Sequence, residues 1–351
     1  MDKQLTLIIP TYNMEKYLHT CLDSLIMDKG MDLLEVLVVN DGSKDASSAI
    51  AHEYERKYPD VFHVIDKENG NYGSCVNRGL KEATGRYVKI LDADDHFDTA
   101  SLKQLMERIK DINADLILTD NIIFGDNDIS QKYYGFELPK MKVLNFADYC
   151  DRLKSNIQMH NVTYRRSIFS QFDYHQTEGI SYTDMEWILA PMARVQTMIY
   201  FPIPLYNYLI GRVGQTISAE QIRRSSSHVV KLANSMLAMF LDAKDVTPAI
   251  YDYLYFRLTR QIKSLYRTFL AEVPGLNTDG LIAFDKCLKE TLPQLYQDCA
   301  RITMGPFIRI YYVDYWRKHQ YAPQPTIFYT IFNGYTKTLF WCKKMLHIDH
   351  V

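Results

Sequence analysis

The chain has 351 residues, 47% hydrophobic and 23% charged, with 40 Lys and Arg against 42 Asp and Glu for a formal net charge of -2. That length allows a sizeable core in one large or two ordinary domains, and the near-neutral balance leaves no electrostatic footprint for nucleic acid. The six cysteines have no CxxC spacing and read as reduced thiols; "MDKQLTLIIPTYN" lacks a signal peptide's h-region and cleavage site, and no apolar run has membrane-spanning length, so a cytoplasmic location is expected.

The first hundred residues alternate between two periods. Apolar runs at 5–9, 36–39, 61–65, 87–91 and 116–118 are β-branched or Leu-rich and read as strands buried on both faces. Helical spacing lies between them: Tyr17, Cys21, Leu22 and Leu25; Ala46, Ile50 and Tyr54 in "SKDASSAIAHEYERKY"; and Leu102, Leu105, Met106 and Ile109. Strand–helix–strand repetition predicts an α/β, largely parallel, doubly wound sheet. From about Ser218 the spacing is helical, with one stripe of Val229, Leu232, Ala233, Met236, Leu237 and Phe240. Tyr251, Leu254, Leu258, Ile262, Leu265 and Phe269 form a second, and both are expected to be core contacts of a bundle. "YAPQP" at 321–325 reads as a linker before a last helix.

Each predicted strand is followed by a polar segment: "PTYN", "NDGS", "DKENGNYGS", "DADD" and "TDN". The carboxyl ends of parallel strands lie along one edge, where ligands bind, so five segments are expected to converge on one site. If the chain is still extended at "DADD", Asp92 and Asp94 point to one side, and two hard oxygen donors there suit Mg2+ or Mn2+. The competing reading is an Asp-rich turn capping the next helix, but Asp98, Thr99 or Ser101 can supply that cap. Asp41 in "VVNDGS" is either turn chemistry or an acceptor for a base or ribose. The glycines of "ENGNYGSCVNRG" are spaced wrongly for a dinucleotide fingerprint, and no GxxxxGK[ST] is present.

Together "LTLIIPTYNMEKYLHTCLDSL", "VLVVNDGSKDAS", "ENGNYGSCVNRGL", "ATGRYVKILDADD" and "SYTDMEW", in this order and spacing, resemble an inverting glycosyltransferase of family 2 with the GT-A fold. The resemblance covers roughly the first two hundred residues. It implies a catalytic domain over 1–217, with a nucleotide-sugar half to about 120 and an acceptor half beyond it, followed by a helical region over 218–351. It also implies a nucleotide-diphosphate sugar donor, most simply a UDP-sugar, a glycan or lipid-linked glycan acceptor, and Mn2+ or Mg2+. Carried over by residue, Pro10, Thr11, Tyr12 and Asp41 would hold the nucleoside, with Asn69, Gly73 and Asn77 in the loop beside it. Asp92 and Ala93 would lie against the donor, and Asp92 and Asp94 would be the metal pair.

An unactivated hydroxyl also needs a base. The resemblance places it at Asp184 in "ISYTDMEWILAPM", where Thr183 stands before Asp184 instead of the family's frequent Glu; Glu186 is a rival, and helix capping is the plain alternative for Asp184. "HNVTYRRSIF" holds His160, read as structural, and Arg165 and Arg166, which the resemblance puts near the acceptor. Arg212 in "YLIGRVGQTIS" is either a diphosphate ligand or a solvated loop residue. No QxxRW is present, so one sugar per encounter is expected rather than processive synthesis. The aromatic and basic run "PTIFYTIFNGYTKTLFWCKKMLH" reads either as a peripheral contact with the inner face of a membrane or as a helix packed on the bundle. The helical region is also a candidate for homo-oligomer contacts. Two further hypotheses stand beside the transferase: a catalytically silent nucleotide-sugar-binding or scaffold protein, and a nucleotidyltransferase. The latter would want a Gly-rich basic loop where "PTYNMEKY" stands.

Overall fold

The computed structural model describes residues 2–125, 131–210, 223–305 and 308–345. They divide into two units, Met1–Gln215 with Ala238–Phe256, and Thr216–Leu237 with Arg257–Val351.

In the first unit, β1 (Leu5–Thr11), β2 (Leu34–Asn40), β3 (Phe62–Asp66) and β4 (Tyr87–Ile90) pair in parallel. Every residue of β1, β2 and β4 is buried, which is why they read as continuous apolar runs rather than alternating ones. The two faces of β1 meet different helices. Leu5, Leu7 and Ile9 join the cluster that holds residues of α1 (Leu18–Asp23), α2 (Ser47–Lys57) and α4 (Thr99–Ile109). Ile8 meets α3 (Asn71–Glu82), where a Cβ at Gly79 would stand 2.4 Å from its Cγ2. Glycine there lets the helix pack directly on the strand, and helices on both faces make the sheet doubly wound, as expected.

The rest of the sheet is mixed. The short β5 (His96–Phe97) is followed by β6 (Leu116–Gly125), β7 (Gln131–Tyr134), β8 (Val143–Asn145), β9 (Val162–Arg165) and β10 (Thr197–Ile210). The order is β3-β2-β1-β4-β9-β6-β10-β5, with β7 on β6 and β8 on β10. β9 runs antiparallel between β4 and β6, while β6 and β10 are parallel. The β10 register shifts between Phe201 and Tyr206, the stretch that contains Pro202 and Pro204, which cannot donate to a ladder.

One expected turn is strand instead. "TDN" lies inside the ten-residue β6, and Thr119, Asp120 and Asn121 are fully buried. Asp120 and Asn121 are tolerated there because their side chains find partners, whereas the Thr119 hydroxyl has none. Tyr133 and Tyr200 donate to Asp120, and Asn121 accepts from Asn161 at 2.8 Å. The converging polar segments at this edge are therefore four, with β6 running past them.

The second unit is helical, as its spacing predicts. Leu258, Ile262, Leu265 and Phe269 are buried, as are Leu232, Ala233, Met236 and Leu237. Its interior holds an ion pair: Asp285, with no exposed surface, accepts from Arg317 Nη2 at 2.6 Å and Nε at 3.0 Å, and Tyr266 donates to the same carboxylate. The last helix, Thr326–Met345, turns Tyr329 and Phe332 inward, and the Tyr329 hydroxyl donates to the Phe269 carbonyl at 3.0 Å. That is the packed-helix alternative for this segment's first turns. Among the described residues no helix is long and apolar enough to cross a membrane.

Candidate functional site

The carboxyl ends of β1 to β4 build one edge. Pro10 and Thr11 complete β1 and are buried, which leaves Tyr12 exposed by 45% at its end. Asp41, only 3% exposed, follows β2. Its carboxylate accepts from the Gly70 and Asn71 amides at 2.9 Å each and from Lys67 Nζ at 2.6 Å, and its carbonyl accepts from Asn69 Nδ2 at 3.0 Å. Asp41 thus satisfies the orphan amides at the start of α3 and complements that helix's positive end. Asn71 adopts a left-handed backbone (φ 67) to offer its N–H.

At the end of β4 the chain does not stay extended. The Asp95 amide donates to the Asp92 carbonyl at 3.0 Å and closes a turn over 92–95. The four residues then part. Asp95 is buried, accepting from the Leu209 amide at 2.8 Å and the Tyr206 hydroxyl at 2.7 Å, so it ties the turn to β10. Burial and the charges of Asp92 and Asp94 push its carboxyl well above the usual range. Ala93 packs in the core cluster. Asp92 and Asp94 keep partial exposure, and Asp92 accepts from the Tyr72 hydroxyl at 2.7 Å. The cap of α4 comes from Asp98, which accepts from the Ser101 amide at 2.7 Å, so helix capping does not account for the acidic turn.

Asp184 begins the short α6 (Asp184–Trp187) and is also partly exposed. It belongs to the same field as the turn. Tyr208 is pushed up to about 12 by burial and then by Asp95, Asp92, Asp184 and Asp94, and Tyr72 is raised by burial and then by Asp92, with Asp184 and Asp94 also acting on it. Two tyrosines therefore stand where the acidic turn and Asp184 both reach. Glu186 is different. It is fully buried, and its oxygens accept from the Thr177 amide and hydroxyl at 2.7 Å each. Tyr182, two residues before Asp184, has φ 72, a conformation that a bulky side chain holds only when its surroundings impose it.

His160 reaches the site, unforeseen from the sequence. It is 8% exposed and lies against Tyr206 and Tyr208, with ring centroids 4.5 and 4.4 Å away. Burial, with Lys89 adding, pushes its imidazole down to about 3. Lys89, on β4, donates to the His160 carbonyl at 2.6 Å and the Val162 carbonyl at 3.2 Å, and burial lowers its ammonium to about 7. A ring nitrogen of His160 and carboxylate oxygens of Asp92 and Asp95 lie within 4.8 Å of one another. Hard oxygen donors with a neutral imidazole fit a divalent cation such as Mn2+; Asp94 is not one of these three.

Other expected residues lie elsewhere. Gly73 and Asn77 are on α3 rather than in a loop. Arg165 pairs opposite Tyr87, the first residue of β4, and Arg166 Nε donates to the Gly85 carbonyl at 2.8 Å. Both therefore stand at the edge opposite Asp92, because β9 runs antiparallel. The same reversal brings His160, which precedes β9, to the site. Arg212 lies outside the described residues.

Comparison with known proteins adds the following. The model of the family described as "Glycosyl transferase family 2" matches residues 6–172. The chain is 28% identical over 223 residues to glycosyltransferase GlyA of Streptococcus pneumoniae, covering 60% of this chain but 31% of that protein. It is 30% identical over 215 residues to the "Uncharacterized glycosyltransferase MG025 homolog" of Mycoplasma pneumoniae, covering 60% of this chain and 69% of that one. The crystal structure of Staphylococcus aureus TarS 1-349 matches with TM-score 0.59 at 23% identity, covering 83% of this chain and 82% of that one. Its complex with UDP-GlcNAc matches with TM-score 0.53 at 20% identity, covering 76% and 81%. The fold is thus the GT-A fold, here followed by helices.

Proposed function

This chain belongs to glycosyl transferase family 2, and from that premise we propose that it moves a sugar, with inversion, from a nucleotide-diphosphate sugar to a hydroxyl of a glycan or glycolipid acceptor. The observation that carries the reading is that Asp92, with Tyr72 donating to it at 2.7 Å, shares with Asp94 and Asp184 an electrostatic effect on Tyr72 and Tyr208.

The reaction is a single displacement. The acceptor oxygen forms a bond to the anomeric carbon as the bond from that carbon to the diphosphate breaks, and the acceptor proton passes to Asp184. Asp184 is the base in this reading because it is partly exposed, whereas both oxygens of Glu186 are occupied by Thr177. A divalent ion would be held at the acidic turn, by Asp92 with Asp94 as the resemblance implies and with the ring nitrogen of His160 and Asp95 in reach of Asp92, and would stabilise the charge developing on the leaving diphosphate. Tyr12, exposed at the end of β1, would lie against the nucleoside base. Asp41 would act there through the loop and helix that it fixes. A UDP-sugar is the donor we favour, because a structural relative was crystallised with UDP-GlcNAc.

The test is nucleotide release from a panel of UDP-, GDP- and dTDP-sugars, with Mn2+ and with chelator. Metal-dependent release from one donor is expected. Binding without release in the presence of candidate acceptors would favour a silent binding protein, and no binding at all would remove the enzyme reading.

A further inference from the structure

Gly73 and Asn77 sit beside the donor edge, yet their contacts run the other way. We infer that they are positioning residues for Asp184 and not contacts for the nucleotide; this rests on the role given to Asp184 above.

The segment over 175–186 is fastened along one face of α3. Asn77 Nδ2 donates to the Gln176 carbonyl at 2.8 Å, and its Oδ1 accepts from the Gln176 amide at 2.8 Å, a two-point match that only a carboxamide of this length can make. The same Nδ2 reaches Glu178 Oε1 at 2.9 Å. One turn earlier, a Cβ on Gly73 would stand 2.1 Å from the Thr177 carbonyl oxygen, so glycine is what lets the segment lie on the helix. A turn earlier still, the Gly179 amide donates to the Gly70 carbonyl at 2.9 Å. Positions 70, 73 and 77 share one helical face.

The segment is also closed on itself. The fully buried Gln176 donates from Nε2 to the Thr183 carbonyl and hydroxyl at 3.0 Å each, and Glu186 binds Thr177 as described. Asp184 lies between these two closures. The first turns of α3 therefore meet three things at once: Asp41 at the helix start, Asp92 through Tyr72, and the Asp184 segment through Gly70, Gly73 and Asn77. One rigid element fixes the separation of the donor-side carboxylate from the base. A misplacement of about 1 Å at such a site costs on the order of 100-fold in rate.

The experiment uses Asn77→Ala, with Gly73→Ala as the second variant, in the full chain. UDP, GDP and dTDP are each titrated with Mn2+, and amide exchange of the peptide covering 175–186 is followed. For the donor that turns over, kcat and KM are measured. The expected result is nucleotide affinity within about twofold of wild type, exchange over 175–186 faster by about tenfold or more, and a lower kcat with donor KM nearly unchanged. Nucleotide affinity falling with exchange over 175–186 unchanged would overturn the inference. So would faster exchange with unchanged kcat. If no donor turns over in wild type, the transferase reading falls by itself, and exchange and nucleotide titration still decide what Asn77 holds.

Discussion

Exchanging the two acids of α6 tests the proposal that Asp184 is a catalytic base and Glu186 a structural carboxylate. Glu186 accepts two hydrogen bonds from Thr177, at 2.7 Å each, in a fully buried position. Bonds to a charged acceptor contribute about 1.5–3 kcal/mol each. Glu186→Ala removes both and should cost roughly 3 kcal/mol or more. Glu186→Gln can still accept the Thr177 N–H and donate to its hydroxyl, so it should cost about 1 kcal/mol. At about 2–4 °C per kcal/mol for a unit of this size, those losses lower Tm by roughly 6–12 °C and 2–4 °C. Asp184→Asn, at a partly exposed helix start, should leave Tm within about 2 °C and lower turnover by about 100-fold or more, the usual contribution of a positioned base. Thermal unfolding followed by circular dichroism and nucleotide release on the same preparations provide both readouts. An inactive Glu186→Gln protein with unchanged Tm, beside an active Asp184→Asn protein, would refute the assignment.

Two further perturbations test the scaffold. Burial pushes the Glu35 carboxyl up, but bonds from the Thr6 hydroxyl at 2.5 Å and from the Thr84 amide and hydroxyl at 2.8 and 2.7 Å outweigh it and hold the folded value below 4.5. A depressed folded value gives stability that is present above pH 4.5 and lost as pH falls through the folded value; urea unfolding from pH 6 to 3 should show this loss, and Glu35→Gln should flatten it. In the helical unit, Arg317→Met leaves the buried Asp285 carboxylate without its cation and should cost about 3–5 kcal/mol, whereas Asp285→Asn together with Arg317→Met should recover most of it. Equal losses in the single and double variants, measured by urea unfolding, would contradict the ion-pair reading.

What could be read from the sequence follows from which interactions are local. Strands buried on both faces betray themselves as apolar runs, so β1 to β4 were expected in place, as were α1, α2 and α4, whereas the Gly- and Asn-rich start of α3 read as a loop. Their polar ends were also expected to share an edge, because parallel pairing requires it. Orientation is not local, however. Nothing in "NVTYRR" announces a strand that reverses between β4 and β6, so neither the approach of His160 to Asp92 nor the place of Arg165 and Arg166 at the opposite edge was legible. "TDN" looked like a turn because its composition is polar; its partners, Tyr133, Tyr200 and Asn161, lie elsewhere in the chain. The engagement of Glu186 was equally hidden, since it depends on Thr177, nine residues before it.

The proposed division of labour between the two carboxylate sets is tested most directly by titrating the nucleoside diphosphate of the active donor, with Mn2+, into wild type, Asp94→Ala and Asp184→Asn proteins. Asp94→Ala should lose the Mn2+-dependent part of binding, while Asp184→Asn should bind like wild type although it fails to turn the donor over. Unchanged Mn2+-dependent binding in Asp94→Ala, or binding lost in Asp184→Asn, would contradict the assignment of the ion to one carboxylate set and the proton to the other.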